Sequence, residues 1–172
     1  MGTRSGDIDP ASILHIMGQE ELTLAQANTL LNKHSGLWGI SGISSDAREI
    51  IEEAESGNKR AQLALDVMTY RIKKYIGAYT AAMGGLDVLV FTAGIGENAP
   101  VVREMACKGL ELMGLKIDSE KNKEAIGKRM EISTPDSKAK VLVIPTNEEL
   151  VIARDTRDIV TKVGKNPVPT ES

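Results

Sequence analysis

A short apolar segment that runs directly into a glycine-containing turn constrains this chain more than any other feature. Residues 86–92 (LDVLVFT) favour a strand buried on both faces. Residues 93–98 (AGIGEN) follow at once, and their two glycines let a backbone approach a ligand where a Cβ would clash. Asn98 is placed to cap a helix with Pro100 in its first turn. The amide groups at such a helix start suit a nucleotide or another anion, and an ordinary strand-to-helix connection is the alternative.

A second buried strand is predicted at residues 140–145 (KVLVIP). A helical crossover separates it from the first strand, so the two are expected to lie parallel in one sheet. Two strands alone do not make a stable sheet under this many helices. Either short strands lie near residues 115–117 and 130–133, or the sheet continues in sequence that precedes residue 1. The expected fold class is therefore α/β.

Apolar spacing and capping residues predict the helices. Asp9 and Pro10 begin the first one, and Asp46 caps another, with Glu49 placed to contact the amide of the cap. Residues 36–42 are predicted to be a glycine-spaced loop, and the helix at residues 65–83 is expected to pack on a core along its length. The predicted helices cover residues 10–17, 22–31, 46–57, 65–83, 102–114 and 119–129, with a last helix opening at residues 146–149 before a tail from residue 164.

Charge and composition restrict the partners of the chain. The net charge is −3, and no cluster of Lys and Arg stands out, so we expect no nucleic-acid partner. No apolar run approaches the roughly 18 residues of a membrane span, so we expect no membrane partner. The single cysteine, Cys107, cannot form an internal disulfide and is predicted to be an inert core thiol. These features predict a cytoplasmic protein.

Three further groups could carry chemistry, each with a structural alternative. Arg4, in an opening segment predicted to be flexible, could bind phosphate oxygens or be an exposed terminal arginine. Asp46 and Arg48 could hold a ribose and stack on a base, or serve as a cap and a solvated helix residue. Glu148 could hold Mg²⁺ through water, or simply be favoured at a helix start by the helix dipole.

Four sequence words in this order resemble the acetate kinase (acetokinase) family: residues 1–10 (MGTRSGDIDP), 45–48 (SDAR), 91–98 (FTAGIGEN) and 144–150 (IPTNEEL). The resemblance implies a ribonuclease H-like lobe of the superfamily that also contains sugar kinases, the heat-shock chaperone ATPase and actin. It implies that Arg4 stabilises the phosphoryl group in transfer and that Glu148 acts with Mg²⁺. It also implies an adenosine site formed by Asp46, Ala47, Arg48, Gly94, Ile95, Gly96, Glu97 and Asn98.

Members of that family are well over twice as long as this chain. The resemblance therefore implies a lobe at residues 1–163, incomplete at its N-terminal side, and a tail at residues 164–172. It also implies ATP and ADP as ligands, acetate and acetyl phosphate as substrates of the full-length enzyme, and a homodimer. The phosphate loop and several catalytic groups of the family have no counterpart here, so we expect little activity from the chain alone. A propionate kinase and a non-catalytic nucleotide-binding or regulatory module are the alternatives.

Overall fold

The computed structural model describes residues 1–165, with side chains described through Lys162. One 3₁₀ turn lies at Glu111–Met113, and the rest of the regular structure is helices and short strands. The helices are α1 (Pro10–Gln19), α2 (Leu24–Lys33), α3 (Gly36–Ser41), α4 (Ala47–Glu55), α5 (Lys59–Met83), α6 (Ala93–Asn98), α7 (Pro100–Cys107), α8 (Ser119–Glu124) and α9 (Glu148–Lys165). The strands are β1 (Val88–Phe91), β2 (Met130–Glu131) and β3 (Lys140–Val143). Within the described residues, no helix combines the length and apolarity needed to cross a membrane.

The strands form one small sheet in the order β1-β3-β2. β1 and β3 pair in parallel, with Val88 opposite Lys140 and Phe91 opposite Val143, as predicted for strands joined by a helical crossover. β2 pairs with β3 in the antiparallel sense, and an isolated bridge joins Ile117 to Ser133. The short strand predicted near residues 130–133 is therefore confirmed, whereas the one predicted near residues 115–117 is wrong, because only a single bridge at Ile117 forms there.

Only one face of β1 is buried, so the prediction of a strand covered on both faces is wrong. Phe91 is 8% exposed, whereas Val88 and Val90 are each 44% exposed. β1 lies at the edge of the three-stranded sheet. An alternating strand has one face on the core, and the opposite face is buried only if a second layer covers it. The apolar composition of a strand does not show whether such a second layer is present.

Two apolar clusters form the core. The first surrounds the sheet and collects Phe91, Cys107, Leu110, Leu115, Ala125, Ile132, Val141 and Val143. The second joins α3, α4 and α5 through Leu37, Ala47, Ile50, Ala61, Ala64 and Leu65. Cys107 is 4% exposed, and burial raises the pKa of its thiol to about 12, which confirms the prediction of an unreactive core thiol.

Three local predictions are corrected by packing. Residues 36–42 contain the helix α3, because Leu37 docks in the second cluster and stabilises a short helical turn. The predicted helix at 102–114 ends at Cys107, since Gly109 adopts a φ of +83°, and Leu112 is 99% exposed. α8 is shorter than predicted and is not fully solvated, because Asn122 is buried.

The long helix α5 packs on the core only in part. Ala61, Ala64, Leu65 and Thr69 are its buried residues. Farther along the helix, Tyr79 and Met83 are 61% and 66% exposed, respectively, so the expectation that the whole apolar face meets a core is wrong. The helix ends at Gly84, as predicted, in the left-handed conformation. The predicted tail at residues 164–172 falls almost entirely outside the described residues.

Candidate nucleotide site

A cavity of about 520 Å³ lies between the first turns of α4 and the helix α6. Its volume is within the range of small-molecule sites. Its lining brings together two sequence words that are far apart along the chain. The lining residues are Asp46, Ala47, Arg48, Ile51, Gly94, Ile95, Asn98 and Ala99. All of the predicted nucleotide residues except Gly96 and Glu97 therefore line one cavity.

Asp46 is the N-cap of α4, as predicted. Its Oδ1 accepts a hydrogen bond from the backbone N–H of Arg48 at 2.9 Å. The backbone amide of Asp46 does not make the predicted contact with Glu49, because its N–H donates to Ser44 Oγ at 3.0 Å. The hydroxyl two residues earlier thus satisfies the amide that the capping box would have used.

The guanidinium of Arg48 also binds the carboxylate of Asp46. Nε donates to Oδ1 at 3.1 Å and to Oδ2 at 3.2 Å, and the Nη2–Oδ2 distance is 2.6 Å. This side-chain pairing is the main reason that the pKa of Asp46 falls to about 2, and the backbone bond of the cap adds to it. The Arg48 side chain remains 83% exposed, so its planar face is accessible to a ligand.

The segment after β1 forms the other wall. Ala93 has a φ of +59°, which is uncommon for a residue with a Cβ, and α6 starts at this position. Asn98 was predicted to cap the following helix, and this is wrong: Asn98 is the last residue of α6, and its Nδ2 donates to the carbonyl of Gly94 at 3.0 Å. An N-cap residue has a non-helical, extended backbone, whereas Asn98 is the last helical residue of α6. Ala99 occupies the cap position of α7 and makes no side-chain cap bond.

Gly96 and Glu97 do not line the cavity. A Cβ at Gly96 would lie 3.2 Å from the backbone carbonyl carbon of Phe91, so this glycine packs against the end of β1. Glu97 is 9% exposed, and its Oε1 accepts hydrogen bonds from the backbone N–H and the hydroxyl of Thr146 at 2.7 and 3.0 Å. The hydrogen bond from the Thr146 backbone amide is the main reason that the pKa of Glu97 is lowered. Glu97 therefore ties α6 to the segment that leads into α9.

Arg4 lies in a segment that is better anchored than predicted. Four backbone hydrogen bonds hold residues 1–5 against α2 and α3, including Trp38 N–H to the Gly2 carbonyl at 3.0 Å. A Cβ at Gly2 would lie 2.7 Å from the carbonyl oxygen of Ser45, so this segment passes directly beside the residue before Asp46. The Arg4 side chain is exposed and does not line the cavity. The fold thus places the first and second sequence words in contact through their backbones.

Glu148 is the first residue of α9 and is exposed. The helix is capped by its neighbour: the Oδ1 of Asn147 accepts from the backbone N–H of Leu150 at 3.1 Å. Within the part of the chain that the structure describes, no three His, Cys, Asp or Glu side chains converge on a possible metal position. An exposed carboxylate fits Mg²⁺, which keeps several waters and often takes only one or two protein ligands together with phosphate oxygens.

Two lining residues were missed by the sequence reasoning. Ile51 lies one helical turn after Ala47 on α4, so the i, i+4 spacing could have identified it as a neighbour on the same face. Ala99 directly follows the glycine turn and links α6 to α7. Both add apolar surface to a cavity whose predicted residues are largely polar or glycine.

Comparison with known proteins decides the family. A model of the acetokinase family matches residues 1–154. The chain belongs to the acetokinase family. It is 60% identical to the acetate kinase of Dictyoglomus thermophilum over 162 residues, which covers 94% of this chain and 40% of that protein. This chain thus spans about two fifths of the length of that acetokinase relative.

Solved structures of the acetokinase family have the same fold. The crystal structure of Porphyromonas gingivalis acetate kinase matches with a TM-score of 0.87 at 53% identity, over 93% of this chain and 40% of that one. A propionate kinase from Francisella tularensis matches with a TM-score of 0.81 at 39% identity, over 89% of this chain and 38% of that one. The predicted fold class is confirmed: this is the mixed α/β fold of the acetate and sugar kinase, chaperone ATPase and actin superfamily.

Proposed function

We propose that this chain forms the adenosine-binding part of an acetate kinase, which transfers the γ-phosphoryl group of ATP to acetate. In that reaction a carboxylate oxygen of acetate forms a bond to the γ-phosphorus, and the bond to the β,γ-bridging oxygen breaks, giving acetyl phosphate and ADP. The observation that carries the proposal is the convergence of two family words on one cavity between α4 and α6. High identity to named acetate kinases supports it.

The cavity is suited to a nucleoside rather than to phosphate alone. Ile51, Ile95 and Ala99 supply apolar contacts for a flat base, and the exposed guanidinium of Arg48 can stack on its face. The Asp46 carboxylate, held ionised by its low pKa, can accept hydrogen bonds from ribose hydroxyls. Gly94 leaves space at the opposite wall, because a Cβ there would have no heavy atom within 4 Å.

Arg4 and Glu148 are assigned to the phosphoryl end of the reaction. Arg4 offers a planar set of N–H donors that matches the equatorial oxygens of a phosphoryl group in transfer, and its segment passes beside the α4 wall of the cavity. Glu148 would hold the hydrated Mg²⁺ of the nucleotide. When bound, that ion neutralises negative charge on the phosphate oxygens. The remaining groups of a complete site are expected from the part of the family's length that this chain does not span.

A propionate kinase is the second candidate, because a propionate kinase shares this fold at a TM-score of 0.81. Acetate and propionate differ by one methylene, and a pocket distinguishes such substrates by about 10- to 200-fold. We expect the acyl pocket in the part of the family's length that this chain does not span, so the four sequence words do not distinguish the two acids.

The test is a fusion protein in which the preceding part of Dictyoglomus thermophilum acetate kinase is joined to residue 1 of this chain. Acyl phosphate is trapped with hydroxylamine after incubation with Mg·ATP and either acetate or propionate. We expect acyl phosphate to form with a turnover in the range of typical kinases, about 1–100 s⁻¹. The unfused chain serves as the control and should form little acyl phosphate.

A folded fusion protein that forms no acyl phosphate from either acid would overturn the proposal. Nucleotide binding without phosphoryl transfer would instead support the non-catalytic module.

A further inference from the structure

A buried arginine lies behind the nucleotide cavity and belongs to none of the family words that indicated the function. Arg103, on α7, has a relative exposure of 0%. Burial lowers the pKa of its guanidinium. An arginine rarely occupies such a position unless its charge and its donors are compensated.

Every N–H group of the Arg103 side chain has an acceptor. A guanidinium carries five N–H donors, and five hydrogen bonds are made. Nη1 donates to the carbonyls of Gly96 and Glu97 at 2.7 and 3.1 Å. Nε donates to Asn122 Oδ1 at 2.7 Å, and Nη2 donates to the carbonyls of Asn122 and Ala125 at 2.7 and 3.0 Å.

The acceptors belong to two separate segments. Gly96 and Glu97 are in α6, and the other acceptors lie in and just after α8. The second segment supports α6 directly as well, since the backbone N–H of Gly127 donates to the Glu97 carbonyl at 3.2 Å. Asn122 is fixed in turn, because its Nδ2 donates to the carbonyl of Pro100 at 2.9 Å. Arg103 therefore joins the back of α6 to a segment that does not touch the cavity.

The acceptors on Arg103 are all neutral, which sets its role apart from an ion pair. Its bonds go to four carbonyl groups and one amide oxygen. The planar guanidinium fork of arginine can reach all five acceptors at once, whereas a lysine ammonium has three donors on one atom and cannot reach acceptors on both segments. Loss of the fork would leave the carbonyls of Gly96 and Glu97 without this donor while they are enclosed.

We propose that Arg103 is a positioning residue for the nucleoside: it fixes the back of α6 so that Gly94, Ile95 and Asn98 hold their places in the cavity wall. This inference rests on the proposed function, since it assigns Arg103 to the same cavity. Arg103 does not touch the nucleoside. Its effect passes through the two carbonyls that it binds on α6.

The test compares Arg103→Lys with the unaltered chain and with Ile132→Ala. Ile132 is fully buried in the sheet cluster and lies outside both the cavity lining and the Arg103 bonds, so its truncation controls for lost stability. Adenosine affinity is measured by calorimetry well below the melting transition of each variant. Amide NMR spectra without ligand report the conformation of residues 93–99.

We expect Arg103→Lys to weaken adenosine binding about tenfold and to shift the amide signals of Gly94, Ile95 and Asn98 before ligand is added. Ile132→Ala should lower the melting temperature but leave the affinity and those signals unchanged. If Arg103→Lys does not fold, Asn122→Ala is the second variant. It removes the Oδ1 acceptor of Arg103 and the Nδ2 bond to the Pro100 carbonyl, keeps the other four Arg103 bonds, and should weaken binding about threefold.

Unchanged affinity or unchanged α6 signals in a folded Arg103→Lys variant would overturn the inference. An equal loss of affinity in Ile132→Ala would also overturn it, because general instability would then explain the effect. Failure of the unaltered chain to bind adenosine would instead refute the nucleotide role of the cavity, and this outcome is seen before any variant is compared.

Discussion

Substitutions at Gly94 should separate an effect on the stability of the fold from an effect on nucleotide binding. Gly94 lies in α6, its φ is not in the left-handed region, and a Cβ built on it meets no heavy atom within 4 Å. A side chain at this position is therefore compatible with the fold. Because Gly94 lines the cavity, the open space beside it is also the space that a nucleoside would occupy.

A side chain at Gly94 is expected to raise the free energy of unfolding and to weaken nucleotide binding. Gly94→Ala removes backbone entropy from the unfolded chain and should raise the free energy of unfolding by about 0.4–1 kcal/mol. Gly94→Val adds a branched side chain at the wall and should weaken ADP binding at least tenfold, a loss of about 1.4 kcal/mol or more. Gly94→Ala should lie between the unaltered chain and Gly94→Val in ADP affinity.

The assay is calorimetric titration with ADP together with thermal unfolding of the same samples. Gly96→Ala is the matched control, because its Cβ would lie 3.2 Å from the backbone of Phe91 and outside the cavity lining. Gly96→Ala should lower the melting temperature, while Gly94→Ala should not. If Gly94→Val binds ADP as tightly as the unaltered chain, the assignment of this wall to the nucleoside is refuted.

Three further predictions concern other parts of the chain. In the fusion protein, Arg4→Lys should lower kcat about 10³-fold or more with little change in KM for ATP, because the planar fork acts on transition-state charge. By carboxyl NMR, Asp46 should titrate near its pKa of about 2 in the unaltered chain and closer to 3.8 in Arg48→Ala, so the stability contributed by the ionised cap is present above about pH 4 and lost as the pH falls toward 2. Light scattering at micromolar concentration should detect self-association, since apolar side chains of α5, β1 and α9 are exposed.

Each of these three predictions would be contradicted by a specific result. A change confined to KM in Arg4→Lys would assign this arginine to ground-state binding. An Asp46 midpoint that does not move in Arg48→Ala would mean that the backbone cap alone lowers the pKa. A strictly monomeric mass at all concentrations would remove the expectation of self-association.

Local signals predicted the parts of the fold that depend on neighbouring residues. The cap at Asp46, the left-handed glycine at the end of α5 and the parallel pairing of β1 with β3 all follow from short-range chemistry and from the handedness of connections. Most residues that line the cavity belong to the family words, and their role in binding a nucleoside stays a prediction. The order of these words in the sequence did not indicate that residues 1–5 would be anchored on α3.

The predictions of burial that failed depend on packing that no short window contains. The exposure of Val88 and Val90 is decided by whether another layer covers β1, and the same holds for Tyr79 and Met83 on α5. The sequence did not indicate a buried role for Arg103, because a charged residue in a helical stretch is ordinarily solvated. Its acceptors in and just after α8 lie 19 residues or more away. Such long-range contacts are visible only in the folded chain.

The most direct test of the central claim is an amide NMR titration of the unaltered chain with adenosine. If the cavity between α4 and α6 is the nucleoside site, the largest shifts will fall on residues 46–51 and 94–99, with small changes elsewhere. Saturable shifts centred on another concave surface, such as the one lined by Ala25, Thr29 and His34 on and after α2, would contradict the claim. So would the absence of any saturable shift.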